Sequence, residues 1–568
     1  MKWRLMKMKN HVIKKKIFNC YDPYYANISS SMYLASGRSN VGKPNISVKA
    51  KKHELRGVWI TTVRNVDFPS ENVHASNIFD LALFKEEFLT IITRCKQLKL
   101  NAIFFQVRPQ GDAFYASGVN PWSAYLTGVQ GVKPDWGDFD PLAWMIEMTH
   151  IEGIEFHAWF NPYHLTPSNK KGSSKEELLE RLSPDHYARR HPDWVYFFNG
   201  QLFLNPGVPA VTDFMAATVN EVLEKYDVDA IHLDDFFYPY PYQKEEGMGI
   251  ITISFGDISP DYDTYLQHRQ PQQTIDQWRE ANINHLVYRL GEVVHQYNQK
   301  AHKSVAYGIS PFGVWASAAQ TDGAGSNTSS VQLSSLSEYV NSKLWVESGW
   351  LDYIVPQVYW SFNDQLSPFA NVVDWWNQVV AQSDTALYIG LGLYLYDEEA
   401  ENPDWQNPAE IVDQIRYTRT KDHVDGYAFF TYHNLVPERA ATASLKQAVK
   451  LIAEEVQNTF SLVPPRHQLQ TGITQPVKNL SVSKCHDNCN LLTFEDPQSS
   501  NSQYYVIYRT VGKMDITDAS NILNVVGKRK GENIHHYTDY QVVAGKKYTY
   551  AVTALSQAQV ESLPVLAK

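Results

Sequence analysis

A short run rich in β-branched and aromatic residues, followed by an amphipathic helical stretch, recurs eight times between residues 56 and 457. Alternation of this kind buries a parallel sheet under helices, and eight units in series close into a (β/α)8 TIM barrel. The runs are RGVWITTV (56–63), AIFFQVRP (102–109), EFHAWFNP (155–162), AIHLDDFF (230–237), VAYGISPFG (305–313), DYIVPQVYW (352–360), LYIGLGLY (387–394) and DGYAFFTYH (425–433). Between them the pattern changes period. Near 80–99, Leu81, Phe84, Phe88, Ile91, Cys95 and Leu98 recur at three- and four-residue spacing, which predicts a helix with one buried face. Another helix opens at Asp140-Pro141, an N-cap acid followed by proline at the first helical position.

Helix-to-strand links are short, as at Leu100–Asn101, whereas the links leaving strands 2, 3 and 4 run to about 30 residues or more. Elaboration confined to that side is what an enzyme with its site at the strand C-termini requires. The chain divides into a basic leader at 1–52, a barrel at 53–460, a Pro- and polar-rich linker at 461–475 and a last segment at 476–568. That segment carries alternating runs such as YYVIYR (504–509) and KYTYAVTAL (547–555), which predict a small all-β, immunoglobulin-like sandwich.

Charge is distributed unevenly. The leader holds 12 Lys/Arg against a single acid, Asp22, while residues 53–568 hold 39 basic against 60 acidic residues. A body that acidic is a poor nucleic-acid partner. No apolar run is long enough to span a membrane, and the leader lacks the apolar stretch of a signal peptide. Four cysteines in 568 residues do not make a disulfide scaffold. Cys485 and Cys489, in KCHDNCN, form either a local disulfide or a reduced pair, and no metal or other cofactor is expected.

Side chains alternate along a strand, so parity predicts which of them face the barrel axis. One face of strand 2 carries Phe104, Gln106 and Arg108; strand 3 contributes His157, Trp159 and Asn161; strand 4 contributes His232 and Asp234, with Asp235 on the other face; strand 6 contributes Gln357 and Tyr359. Polar interior groups are costly unless they work, and these gather toward strand C-termini. The adjacent carboxylates Asp234 and Asp235 are the sharpest signal. Glycosidic cleavage needs one carboxyl held protonated and one ionised, and close negative charges push one pKa up. Asp112, in RPQGDAFY, is the third candidate acid. Substrate contacts are expected from Arg108, Gln106, His157, Asn161, His232, Tyr238, Gln357, Tyr359 and Trp360, where aromatic rings suit the C–H face of a sugar. Two other readings stay open: a barrel that grips glycan without cutting it, and a phosphate-handling enzyme using the glycines of IGLGLY.

ELRGVWITTVRNVDFPS (54–70) and IHLDDFFYPYP (231–241) resemble glycosyl-hydrolase-like family ten, a group of bacterial barrel proteins. FFQVRPQGDAFY (104–115), HAWFNPYH (157–164), LFLNPGVPAV (202–211), ISPFGVW (309–315) and VPQVYWSF (355–362) are similar to its other signature stretches. The resemblance spans about 54–440. It implies a glycoside hydrolase acting on glycans, with bacterial cell-wall strands as the expected substrate, and it maps the family's acids and strand-2 pattern onto Asp234, Asp235, Arg108 and Asp112. It also implies a cell-envelope or secreted protein, while the leader as written leaves a cytoplasmic location open. The segment from PVKNLSV (476–482) onward resembles a fibronectin type III module.

Overall fold

A computed structural model of the chain describes residues 50–567, apart from 78–79, 168–171, 236, 247–248, 331–332 and 487. The basic leader up to residue 49, with Cys20, lies outside the described residues. Eight parallel strands close a barrel in chain order: β1 (Leu55–Ile60), β2 (Ala102–Arg108), β3 (Glu155–Phe160), β4 (Ala230–Leu233), β5 (Ala306–Ile309), β6 (Tyr353–Ile354), β7 (Ala386–Gly392) and β8 (Val424–Phe430), with β8 pairing back onto β1. Eight principal helices follow them: α1 (Leu81–Gln97), α2 (Pro141–Ile151), α3 (Pro209–Lys225), α4 (Ile275–Ala301), α5 (Ser342–Glu347), α6 (Phe369–Val379), α7 (Glu410–Thr418) and α8 (Ala443–Leu451).

Local chemistry sets the element ends. Asp80 caps α1 by accepting from the Leu83 amide, and Asp140 does the same for α2 with proline in its first turn. The apolar face of α1 buries Phe84, Phe88, Ile91, Ile92 and Cys95. The β6 run expected over 352–360 is regular for two residues only. Pro356 has no amide hydrogen for the ladder, and Gln357 instead makes isolated bridges to Phe312 and Gly390.

The inside of the barrel is unusual in being part polar. Phe104 packs against His157 and His232, both with ring centroids at 4.7 Å, and Tyr353 lies across the axis parallel to His232. Room for Tyr353 comes from Gly308, where a Cβ would fall 2.2 Å from the tyrosine ring.

Beyond the barrel, seven strands make two antiparallel sheets. β9 (Lys478–His486), β10 (Cys489–Glu495) and β13 (Ile534–Asp539) form one sheet; β12 (Ile522–Gly527), β11 (Ser502–Thr510), β14 (Thr549–Ser556) and β15 (Val565–Leu566) form the other. Cys485 and Cys489 are joined as a disulfide across the β9–β10 turn. This β domain sits against the N-terminal end of the barrel. The Tyr504 hydroxyl donates to the carbonyl of Ile154 at 3.4 Å, Gln557 Nε2 donates to the carbonyl of Val228, and the backbone of Val525 approaches Gly153 so closely that a Cβ would fall 2.5 Å from its carbonyl oxygen. The strand C-termini face the opposite way and stay clear of the tail. No described helix is long and apolar enough to cross a membrane.

Candidate active site

β4 ends at Leu233, so Asp234 and Asp235 are the first residues past the strand, on the mouth side of the barrel. Four strands converge on Asp234. The amides of Thr62 and Val63, just beyond β1, each donate to Gln106 Oε1 at 2.9 Å. With its oxygen so occupied, Gln106 donates through Nε2 to Asn161 Oδ1 at 2.7 Å. Asn161 in turn donates through Nδ2 to Asp234 Oδ2 at 2.9 Å. On its other oxygen Asp234 accepts from the Asp235 amide at 2.9 Å and from Gln357 Nε2 at 3.3 Å.

Backbone N–H groups can only donate, so the direction of this amide chain is fixed from its far end, and Asp234 is its terminal acceptor. A carboxylate that accepts three such bonds is favoured in its ionised form. Burial works against it and raises the pKa, and Asp234 keeps 8% of its surface open.

Asp235 turns to the other side. Its Oδ2 accepts from the Tyr240 hydroxyl, while its Oδ1 has no protein partner. Burial, then the charges of Asp234 and Glu338, push its pKa well above the carboxylate range. Glu338, on the long connection after β5, is completely buried, and burial drives its carboxyl well up too. The cluster is therefore three carboxyl groups and a phenol, with Asp234 as the group best supplied with donors and Asp235 and Glu338 as the groups whose pKa burial raises most. Phe312 and Trp360 meet edge to face at 5.4 Å beside Tyr240 and form an aromatic wall.

Glu338 escapes sequence reasoning because it sits in the Ser-rich stretch SSVQLSSLSEYV, with no strand parity to orient it. A usable signal existed: from 310 to 341, the strand-to-helix side of the fifth unit, Asp322 and Glu338 are the only two acids.

Other expected residues are placed differently. Arg108 was expected on the face of Gln106, but the ladder slips between them, and the bulge re-aims the side chain. Its fully buried guanidinium donates to Asn120 Oδ1, the Asn161 carbonyl and the Tyr187 hydroxyl, which ties the connections after β2 and β3 together. His157 and His232 lie deep in the barrel, away from the mouth, and both bond the Tyr353 hydroxyl. Tyr238 packs on Phe255 and Tyr339 in the loop layer. Tyr359 lies against Tyr394 and Phe430 near the mouth. The glycines of β7 face protein: a Cβ on Gly390 would meet the Pro356 carbonyl at 3.0 Å, and one on Gly392 would meet Leu395 at 2.9 Å. They admit the irregular β6 segment and leave no cradle for a phosphate. A groove of about 640 Å³ bounded by His295, Asp352 and the linker's Gln468 and Gln470 belongs to the opposite, N-terminal end of the barrel.

Asp112 accepts from Gln130 Nε2 at 3.2 Å and from the Gln110 amide at 3.4 Å, and burial pushes its pKa up to about 6. A carboxyl whose folded pKa is raised costs stability as pH climbs from its ordinary 3.8 to about 6. Asp112→Asn is therefore expected to raise the unfolding free energy at pH 7 by about 1–3 kcal/mol, with the gain vanishing below pH ~4. Denaturant melts at the two pH values check this, and a loss of stability at pH 7 would refute it.

Residues 54–407 match the family model described as Glycosyl hydrolase-like 10. Glycosyl hydrolase YngK of Bacillus subtilis (strain 168) is 34% identical over 534 residues, which is 93% of this chain and 96% of the relative. Glycosyl hydrolase DigH of Escherichia coli (strain K12) is 32% identical over 368 residues, 64% of this chain and 79% of the relative. Among solved structures, the PgaB (BpsB) glycoside hydrolase domain from Bordetella bronchiseptica aligns with a TM-score of 0.39 at 11% identity, covering 68% of this chain and 96% of that one.

Proposed function

The chain belongs to the glycosyl hydrolase-like 10 family, and from that premise we propose that it cleaves glycosidic bonds by carboxylate acid/base chemistry at the mouth of the barrel. One observation carries the reading: a directional amide chain presents Asp234 as an acceptor, next to Asp235 and Glu338, whose burial and mutual repulsion hold protons. Those are the two states the reaction needs at once. Asp234 is the ionised group that attacks the anomeric carbon or activates water. The proton for the departing glycosidic oxygen comes from the Asp235–Glu338 pair, with Tyr240 holding Asp235 in place. Phe312 and Trp360 supply apolar ring faces for a pyranose.

The substrate we propose is bacterial cell-wall glycan, met in the cell envelope or outside the cell, as the sequence resemblance implies. The two-sheet tail supports a fibronectin type III-like reading. Its seat against the barrel end makes it a base for the enzyme rather than a free spacer.

The test is to incubate the full chain with peptide-free and peptide-bearing wall strands and identify products by mass. Fragments with new reducing ends are expected, and binding without any new ends over long incubation would leave a glycan-gripping barrel instead. Glu338→Gln keeps the shape and removes the proton reserve, so kcat is expected to fall by about 10²-fold with KM little changed. An unaltered kcat would take Glu338 out of the mechanism.

A further inference from the structure

Below Asp234 the barrel axis carries a column of polar side chains that starts outside the barrel, in the linker. Arg466 donates through both terminal nitrogens to the Glu155 carboxylate at the start of β3, one contact being 3.2 Å. Gln559 of the β domain adds a bond to the same carboxylate at 2.9 Å. Glu155 Oε2 meets His157 Nε2 at 2.9 Å, His157 Nδ1 meets the Tyr353 hydroxyl at 3.0 Å, and that hydroxyl meets His232 Nδ1 at 3.1 Å. His232 Nε2 then meets Ser310 Oγ at 3.0 Å and the indole nitrogen of Trp59 at 3.4 Å. Finally, the Ser310 carbonyl accepts from Gln357 Nε2 at 3.0 Å, the same nitrogen that reaches Asp234.

Proton positions along this column follow from its two ends. Against burial, Arg466 and the bond from His157 hold the Glu155 pKa down to about 2, so the carboxylate only accepts and His157 must carry a proton on Nε2. Its Nδ1 is then free to accept from the Tyr353 hydroxyl, whose oxygen accepts in turn from His232 Nδ1–H. At the upper end the Trp59 indole can only donate, so His232 Nε2 must be an acceptor, which demands the same Nδ1–H tautomer. The two ends, read independently, agree on every bond. Reversing the column would set His232 Nε2–H against the indole N–H.

We propose that Arg466 and Glu155 are positioning residues for the catalytic cleft: the ion pair at the barrel floor orders a one-directional column through His157, Tyr353, His232 and Ser310 that holds Gln357 against Asp234. The linker and β domain thereby complete the interior of the barrel. The proposal rests on Asp234 being the reacting carboxylate.

The experiment uses the full chain labelled with ¹⁵N at histidine. In the wild type, the ring nitrogens of His157 and His232 are expected to report the Nε2–H and Nδ1–H tautomers, respectively. The neutral-floor double variant Glu155→Leu/Arg466→Met removes the acceptor for His157 Nε2–H, so the signature of His157 is expected to change, while His232, held also by the Trp59 indole, keeps Nδ1–H. kcat is expected to fall about tenfold with KM unchanged, because a small displacement of a reacting group is enough for that. Tyr353→Phe keeps the ion pair and deletes only the bridging oxygen; the same tenfold loss is expected. Arg466→Lys keeps the charge but not the two-pronged contact, so it is expected to retain the wild-type tautomers with a smaller loss of rate than the floor variant. A wild-type His232 protonated on Nε2 overturns the proposal, as does wild-type kcat in both the floor variant and Tyr353→Phe. If the wild type cuts no glycan, the proposed function fails while the tautomers still decide whether the column is ordered as described.

Discussion

Asp234→Asn is expected to abolish measurable glycan cleavage, lowering kcat by about 10³-fold or more, while the protein melts near the wild-type temperature. The loss follows from the role. An amide of the same shape can neither attack carbon nor take a proton from water, and about 10³-fold corresponds to roughly 4 kcal/mol of barrel-mouth stabilisation no longer available to the transition state. The unchanged stability follows from the surroundings. Wild-type Asp234 is buried next to Asp235, and burial raises its pKa despite its donors. Replacing it with a neutral group removes a repulsive partner from Asp235, whose carboxyl is already driven upward. The single oxygen of the new amide can still accept from Asn161, so the chain from Thr62 through Gln106 survives, while its Nδ2 comes to face two donors, the Asp235 amide and Gln357 Nε2, which offsets that gain. Reducing-end release and product mass measure the activity, and calorimetry measures the melt. Full activity in the folded variant would sink the assignment of Asp234. Loss of activity together with unfolding would point to a structural carboxylate instead.

Much of this site was legible in the sequence because barrel geometry is periodic. Once eight strands are counted, parity alone brings Gln106, Asn161, His232, Asp234 and Gln357 to the interior side, and all five lie on the hydrogen-bonded paths that lead to Asp234. Parity fails where the ladder does. The slip between Gln106 and Arg108 turns the arginine from a presumed sugar contact into a fastening for two loops. Proline in the β6 run shortens the strand to two residues. Glu338 escapes parity for a different reason. Its approach to Asp235 depends on how a long irregular connection folds back over the mouth, and such a path has no repeat to read. Arg466 illustrates the same limit between units. Nothing in VPPRHQL marks one basic side chain as the counter-ion of a glutamate more than 300 residues earlier, because that pairing exists only once the tail docks under the barrel.

The docking makes the second large prediction. Arg466→Ala is expected to destabilise the whole chain by about 3–5 kcal/mol at pH 7, the cost of leaving a buried charge without its partner. Glu155 is 1% exposed, and Arg466 is the permanently charged donor among its partners, Gln559 being neutral. The pH dependence carries the diagnosis. In the wild type the folded pKa of Glu155 is depressed from 4.5 to about 2, so the pair's contribution is complete above pH ~4.5 and is lost as pH falls toward about 2. Without Arg466 the same burial raises that pKa, so the variant gains stability as Glu155 takes up a proton. The deficit should therefore be widest near neutrality, begin to narrow above pH ~4.5 as the variant's Glu155 takes up its proton, and shrink further as pH falls toward about 2, a narrowing that lost packing alone would not produce. Adding Glu155→Leu to Arg466→Ala should recover most of the loss, since an apolar replacement of a buried pair is tolerated far better than half of the pair. Denaturant melts of the three proteins across this range decide the matter. A pH-independent deficit, or a double variant no more stable than the single, would mean that Arg466 is held at the barrel floor for its shape and not for its charge.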